Sequence, residues 1–226
     1  FSITRFFDPK AWRPVPSGDG QTLQLRAQFS GPSYQGYNIS FIEPWFGGKK
    51  PNSFSFSLFY SKQEPRYYNS FDTRQTYRTY GTSIGLGKRL KWPDDYFSLY
   101  HELSYQQYRL NNYNIGTLSN GDYNLFSLKT VLSRSSQDQM IYPRRGSSLT
   151  LSLRVTPPYS LFSNEDFSEM DVADKFRNIE FHKWNFKGDW YTALIQNLVL
   201  AMHAEFGYLG HYNDAIGPPP FERFEV

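Results

Sequence analysis

The side chains that could support chemistry lie in three short stretches of the sequence, and the first is His203-Ala204-Glu205. In an extended chain, residues two apart lie on the same face, so this imidazole and carboxylate could together bind zinc. The chain has no Cys and no second His pair to complete a tetrahedral site. This favours the alternative interpretation, in which the two side chains are polar neighbours facing a hydrated interior.

The second stretch, Gly85-Leu86-Gly87-Lys88, resembles a phosphate-binding loop, in which glycine amides and a lysine surround phosphate oxygens. Such a loop opens a helix, and no helical pattern follows here. The alternative is a strand with small residues on one face. No spacing singles out a Ser-His-Asp triad either, so we predict that the chain is not an enzyme and needs no cofactor.

The third stretch is an acidic connection over residues 159–175, whose carboxylates and amide are oxygen ligands of the kind that Ca²⁺ prefers. The spacing lacks the regular pattern of a calcium loop, and a solvated surface loop is the favoured interpretation. We predict no metal site. The candidate ligands of this connection are Asn164, Glu165, Asp166, Glu169, Asp171 and Asp174.

The composition indicates which elements must position these groups. Of 226 residues, 39% are hydrophobic and 19% aromatic, with 18 Tyr and 20 Phe. Aromatic residues favour β-strands, whereas the low apolar content does not suit a thick core. Many aromatic residues together with a low apolar content indicate a sheet of a single layer, without a thick hydrophobic core. The net charge of +3 carries no nucleic-acid signal, and there is no apolar run near the ~20 residues of a membrane helix.

The clearest strand runs from Ser148 to Thr156, where Leu, Leu, Leu and Val alternate with Ser, Thr and Arg. A period of two predicts a strand with one apolar and one polar face. Gly146 supplies the preceding turn, and Pro157-Pro158 ends the strand because proline lacks a backbone donor. The same pattern recurs along the chain and predicts nine strands, the last two at about 177–192 and 196–210, plus a stub at Phe1–Phe7.

Across these strands, the alternation predicts two sets of side chains that face in opposite directions. The apolar set, expected to face lipid, is Leu23, Leu25, Phe29, Ile39, Phe41, Phe54, Phe56, Leu58, Leu149, Leu151, Leu153, Val155, Leu198, Leu200 and Met202. The polar set, expected to face a lumen, is Arg26, Lys129, Arg154, Lys187, His203 and Glu205. The cations of this set could select ions in a pore or could be hydrated interior charges.

The connections between the predicted strands alternate in length. Tight links at 47–52, 92–95 and 193–195 take turns with long ones at 61–75, 111–122 and 159–175. Short turns on one side and long loops on the other are typical of outer-membrane β-barrels. Trp12, Trp45, Trp92 and Trp190 lie beside the tight connections. We predict that Trp45, Trp92 and Trp190 belong to an aromatic girdle there. The fold class is therefore all-β, a transmembrane antiparallel barrel; a soluble sandwich or lipocalin-like barrel is the alternative.

From Gly18 to Val226 the chain resembles the barrel domain of the BamA family, the bacterial surface antigens that assemble outer-membrane proteins. Glu43-Pro44-Trp45-Phe46 resembles the family's turn between two closely spaced strands, and Tyr142 to Ser147 resembles its aromatic-Pro-x-x-Gly-Ser strand opening. Residues 18–28 and 181–194 also resemble segments of the family's barrel, in the same order along the chain. Pro219 to Val226 resembles the segment that leads into the family's long inward-folding loop.

This resemblance implies a sixteen-stranded barrel with periplasmic POTRA domains, of which residues 1–226 would be about strands two to eleven, incomplete at both ends. It implies a location in the outer membrane of Gram-negative bacteria and a role in folding and inserting other barrel proteins through a lateral seam. The implied partners are outer-membrane lipid, unfolded β-barrel clients and accessory lipoproteins, with no nucleic acid. A passive porin-like channel is the alternative function.

Overall fold

A computed structural model of the chain describes residues 20–48, 52–65, 75–115, 118–163, 167, 169–196, 198–220, 222 and 224. Within them, nine strands form one antiparallel sheet in which each strand pairs with its neighbours in sequence. The strands are β1 (Thr22–Ser30), β2 (Tyr34–Glu43), β3 (Asn52–Gln63), β4 (Thr76–Arg89), β5 (Phe97–Asn111), β6 (Gly121–Ser135), β7 (Gly146–Val155), β8 (His182–Ile195) and β9 (Leu198–Gly210). The predicted all-β class and the nine strands are confirmed. The predicted stub at Phe1–Phe7 and Trp12 lie outside the described residues.

The prediction of a strand from Arg177 was wrong, because β8 begins at His182. Residues 177–181 instead make a short bridge to the start of β6. Asn124 donates its backbone N–H to the Arg177 carbonyl (2.8 Å), and the Ile179 N–H donates to the Asn124 carbonyl (2.9 Å). The tight link predicted at 193–195 is also misplaced, since β8 continues through a bulge to Ile195.

The connections follow the predicted alternation only in part. The longest one, residues 156–181, lies at the same end of the sheet as 64–75 and 112–120. Residues 31–33 are a short link at that long-loop end, and residues 136–145 are an extended link at the opposite, turn end. The long connection contains two short helices, α1 (Tyr159–Phe162) and α2 (Val172–Lys175). Among the described residues, neither helix has the length and hydropathy needed to cross a membrane.

The link 136–145 is held by a hydrogen-bonded turn rather than by packing. Gly146 begins β7 at φ +100°, and a Cβ added there would lie 2.2 Å from the Ser136 carbonyl oxygen. Only glycine fits this conformation at no steric cost. The Asp138 carboxylate accepts the backbone N–H groups of Arg144 (3.0 Å) and Arg145 (3.2 Å). The turn that was predicted from Gly146 is therefore present and is closed by Asp138.

Acid should loosen this link through Asp138. Hydrogen bonding from the Arg144 N–H, followed by that of Arg145, lowers the pKa of Asp138 below its ordinary value. A lowered pKa stabilises the folded link above the ordinary carboxyl pKa, and this contribution is lost as the pH falls through the lowered value. In hydrogen exchange, the Arg144 amide of the wild-type protein should lose more protection as the pH falls than the same amide in Asp138→Asn.

The matched control is Asp95→Asn in the neighbouring link, which should leave the pH dependence of Arg144 unchanged. The same profile in wild type and Asp138→Asn would contradict the assigned role of Asp138.

Candidate functional site

The pairing register assembles one continuous apolar face. Residues directly opposite each other in an antiparallel pair lie on the same face of the sheet. Leu25 pairs with Ile39, which pairs with Leu58; at the other end of the sheet, Leu151 pairs with Phe186. Followed across all nine strands, the register brings all fifteen apolar residues predicted to face lipid onto this one side, which we term the apolar face.

The register also brings the six predicted lumen residues onto the opposite side, the polar face. Lys129 pairs with Arg154, and Lys187 pairs with Glu205. Arg26 reaches the same side through its pairing with Asn38. The period-two alternation therefore sorts the side chains into two sets, and the register keeps the sets in line from strand to strand.

The apolar face is uncovered in the described residues. Leu25 is 70% exposed, Leu151 41% and Phe206 63%. A soluble sandwich buries such a face against a second sheet about 10 Å away, whereas among the residues that the structure describes the fully buried hydrophobic ones lie elsewhere. An exposed apolar wall of this extent is typical of a surface that meets membrane or another protein.

The three predicted girdle tryptophans lie toward the turn end of the sheet. Trp45 and Trp92 belong to the links after β2 and β4, and Trp190 lies in β8 shortly before its end. All three are exposed, Trp92 at 83%. Trp184, by contrast, lies farther from this end on the apolar face and donates its indole N–H to His182 Nδ1 (3.2 Å).

The His203–Glu205 pair belongs to an ion-pair group on the polar face. His203 Nδ1 lies 2.7 Å from Asp189 Oδ1, and Lys187 Nζ lies 2.7 Å from Glu205 Oε1. These contacts run between β8 and β9, and each carboxylate already has a cation or imidazole partner. In the part of the chain that the structure describes, no group of His, Cys, Asp and Glu side chains is arranged to hold a metal ion.

Gly85 and Gly87 lie inside β4 and not in a loop. A Cβ on Gly85 would come within 2.1 Å of the Tyr100 hydroxyl and 2.4 Å of Ser55 Oγ. The glycine leaves room for the hydrogen bond between these two groups (3.0 Å) on the polar face. The strand interpretation accounts for this motif, and the phosphate-loop interpretation does not.

The acidic connection is described only in part, since Asn164, Glu165 and Asp166 lie outside the described residues. Asp171 caps α2 by accepting the Val172 N–H (2.9 Å), which is a common use of Asp at a helix start. Asp174 lies in the first turn of the same helix.

A compact cap covers the polar face at the long-loop end, and we define it as the described residues of 112–120 and 156–181. Its side chains meet the polar-face residues of β5 and β6 in a hydrophobic cluster. The buried members are Tyr108, Leu110, Leu118, Tyr123, Leu125, Ile179 and Phe181. The alternation of apolar and polar residues predicted that residues 177–181 belong to a strand, so this cluster was not predicted from the sequence. The apolar residues Ile179 and Phe181 were the sequence feature that could have indicated it.

Buried polar contacts join the two ends of the connection 156–181 within the cap. The Phe181 N–H donates to Thr156 Oγ1 (2.7 Å), and Thr156 N–H donates to the Phe181 carbonyl (3.1 Å). The Glu180 carboxylate accepts the Ser160 N–H (2.9 Å) and hydroxyl. Satisfying buried polar groups in this way avoids the 1–3 kcal/mol or so that each unpaired group would cost.

A second cover on the polar face comes from the segment after β9, and sequence reasoning did not find its contacts. Glu222 lies between Arg154 and Lys183, with Glu222 Oε1 3.0 Å from Arg154 Nη1. Lys183 lies directly opposite Arg154 on the polar face, so Glu222 contacts one cation from each of two neighbouring strands.

Comparison with known proteins gives one family and a structural likeness. The family model of the Omp85 superfamily domain matches residues 17–226. Among the solved chains that match is the crystal structure of BamA from Haemophilus ducreyi lacking POTRA domains 1–3, with a TM-score of 0.60 and 20% sequence identity. The match covers 89% of this chain and 37% of that chain, so the chain spans little more than a third of the solved protein. No curated protein matches.

Proposed function

Because this chain belongs to the Omp85 superfamily of the bacterial outer membrane, we propose that it is the central barrel component of a machinery that folds and inserts β-barrel proteins there. The observation that most supports this proposal is the architecture of the sheet. A single layer of nine antiparallel strands presents one exposed apolar face, and the fold is similar to that of BamA from H. ducreyi.

In this proposal the apolar face contacts lipid, and the polar face lines the lumen. Burial of exposed leucines and phenylalanines in hydrocarbon holds the sheet in the bilayer, at about 25 cal/mol for each Å² removed from water. Trp45, Trp92 and Trp190 lie at the headgroup level of one leaflet, where their amphipathic rings suit the interface. Arg26 and Lys187 remain hydrated on the inner side.

The two edges of the sheet bear on how the proposed barrel is completed. Among the described strands, β1 and β9 each pair on one side only. An unpaired backbone edge does not occur in lipid, where each unsatisfied group costs several kcal/mol. We propose that the chain is about strands two to eleven of one sixteen-stranded barrel and that further strands pair with β1 and β9.

In this proposal the protein folds its clients by exchanging backbone hydrogen bonds, and no covalent bond is made or broken. At a lateral seam, a strand with free N–H and C=O groups would pair with a strand of an unfolded barrel protein, which is β-augmentation. Each new strand of the client then pairs with the last one. Unfolded β-barrel proteins are the proposed clients, and accessory lipoproteins are the proposed partners.

The porin-like channel is less well supported because the polar face is covered twice. The cap lies over it at the long-loop end, and the segment carrying Glu222 crosses it near β7 and β8. An open channel needs a clear path along this face. Several cations of this face are already paired with carboxylates, Lys187 with Glu205 and both Arg154 and Lys183 with Glu222.

The experiment that tests the function uses the full-length protein in vesicles of outer-membrane lipid. A urea-unfolded β-barrel client is added, and its protease protection is followed over time. We expect folding to be faster than in empty vesicles and in vesicles that hold an unrelated small barrel. Client folding at the rate of both controls, together with a steady ion conductance, would favour the channel instead.

A further inference from the structure

The apolar face changes its character toward the long-loop end, over three successive rows of side chains on strands β2 to β6. Within a row the residues are direct partners in the register, and each row lies two residues, or ~7 Å, farther along the strands. The first row is Ile39, Leu58, Thr82, Tyr105 and Phe126, the second is Tyr37, Tyr60, Tyr80, Gln107 and Asn124, and the third is Gln35, Lys62, Arg78, Arg109 and Asp122. The face therefore passes from mainly apolar side chains, through tyrosines and amides, to charged groups.

Three cations lie side by side in the third row. Lys62 of β3 pairs directly with Arg78 of β4, which pairs directly with Arg109 of β5. Like charges directly opposite each other destabilise a sheet. Lys62 Nζ lies 2.6 Å from Glu64 Oε1, and Arg109 Nε lies 3.5 Å from Asp122 Oδ1. The two carboxylates offset the outer cations and leave the positive charge of the central one, Arg78.

The side chain of Arg78 also has an unused hydrogen-bond donor. Its Nε is buried and has no hydrogen-bond partner among the residues that the structure describes. Leaving a buried donor without an acceptor is costly, and more so when the group is charged. A phosphate has several acceptor oxygens and a negative charge, so it would satisfy Arg78 and reduce the repulsion from the cations on both sides.

An apolar groove lies on the same face, toward the middle of the sheet. Its volume is about 410 Å³, and its walls include Leu58, Tyr80 and Tyr105. Thr82 lies between Leu58 and Tyr105 in the register. Its side chain is smaller than those of its two neighbours and leaves the space between them open.

Tyr80 joins the groove to the row of cations. Its ring lines the groove, and the Arg109 guanidinium carbon lies 5.6 Å from the ring centroid, within the range of a cation–π contact. The Tyr60 ring packs beside it, with 5.1 Å between the two centroids. Tyrosine is enriched at membrane interfaces because one end of its ring is apolar and the other is polar. The tyrosine row therefore suits the boundary between hydrocarbon and headgroups.

We infer that Lys62, Arg78 and Arg109 bind the phosphate of an anionic lipid, and that an acyl chain of this lipid lies in the groove beside Thr82. A lipid has its phosphate and its acyl chains in the order in which the face presents cations and groove. Long loops of outer-membrane barrels are extracellular, so the lipid belongs to the outer leaflet. The inference rests on the proposed lipid contact of the apolar face and not on the assembly of clients.

The test measures lipid binding to the full-length protein in detergent by native mass spectrometry. The probes are dioleoyl phosphatidic acid and dioleoyl phosphatidylcholine, which have the same acyl chains. The first phosphatidic acid should bind more tightly than phosphatidylcholine, and Arg78→Gln should weaken its binding roughly tenfold because charge-assisted hydrogen bonds are lost. Thr82→Leu fills the groove and keeps the cations. It should weaken binding roughly threefold or more, because the acyl chain loses its apolar contact.

Lys88→Gln is the matched control. Lys88 lies on the same strand and the same face as Arg78 but at the turn end, opposite Asn52 and Leu99. Its replacement removes one positive charge from the apolar face, as Arg78→Gln does, and leaves the three rows unchanged. Binding of phosphatidic acid should stay within about twofold of wild type, because charges this far apart are largely screened.

Equal weakening by Arg78→Gln and Lys88→Gln would overturn the inference, because the lipid would then respond to net charge alone. Displacement of phosphatidic acid by inorganic phosphate, with no effect of Thr82→Leu, would indicate a site for free phosphate and would also overturn it. If Arg78→Gln fails to fold, Arg109→Gln provides a second test with the same expected loss. Lipid binding is measured without clients, so the inference can fail while the proposed function stands, and the reverse.

Discussion

Replacing Leu151 with Arg should destabilise the membrane-inserted protein by about 2–4 kcal/mol, the cost of a cation on the lipid face near the bilayer midplane. Leu151 lies at the centre of β7, between Leu132 of β6 and Phe186 of β8 on the apolar face. An Arg there has only apolar neighbours across both strand pairs and must reach toward an interface. The measurement is denaturant unfolding of the full-length protein in lipid vesicles.

Ser152→Arg is the matched control because it adds the same side chain one residue later, on the opposite face. Ser152 pairs with Val131 and Asn185, so the new cation has no charged residue directly opposite it. If the polar face lines a hydrated lumen, the loss should stay below about 1 kcal/mol. Equal losses from the two variants would mean that the lipid and lumen faces are wrongly assigned.

The separation into an apolar and a polar face was predictable because the direction of a side chain in a strand is a local property. Leu151 and Ser152 point to opposite sides whatever the rest of the chain does. Only one pairing register keeps the apolar side chains of neighbouring strands on the same side of the sheet, since a slip of one residue would move every side chain of a strand to the other side. The fifteen apolar positions therefore share a face in the structure as the alternation implied.

The cap and the ion pairs of Glu222 could not be predicted in the same way because both depend on contacts between distant parts of the chain. Ile179 reaches Asn124 of β6, and Glu222 reaches Arg154 across 68 residues. Alternation cannot distinguish Arg177–Phe181 from the strand that follows it. What ends the strand pattern there is the burial of Ile179 and Phe181 against β5 and β6, a tertiary effect that overrides local propensity.

Phe181→Ala should remove much of the cap's stability, at a cost of about 3–5 kcal/mol for a fully buried Phe. The ring is fully buried in the cluster with Tyr123 and Ile179. Its truncation leaves a cavity between the cap and the sheet, while the backbone hydrogen bonds to Thr156 remain possible. Hydrogen exchange of the amides in 176–181 should show the loss directly, as faster exchange confined to the cap.

Phe162→Ala tests whether this cost comes from burial and not from the loss of any aromatic ring in the same connection. Phe162 lies in α1 and is 83% exposed, so its truncation should change stability by no more than about 0.5 kcal/mol. Faster exchange in Phe181→Ala alone would mean that the cap is a packed lid on the polar face. Unchanged exchange in both variants would mean that the Phe181 ring does not hold the cap on the polar face. The cap would then no longer count as an obstacle to an open channel.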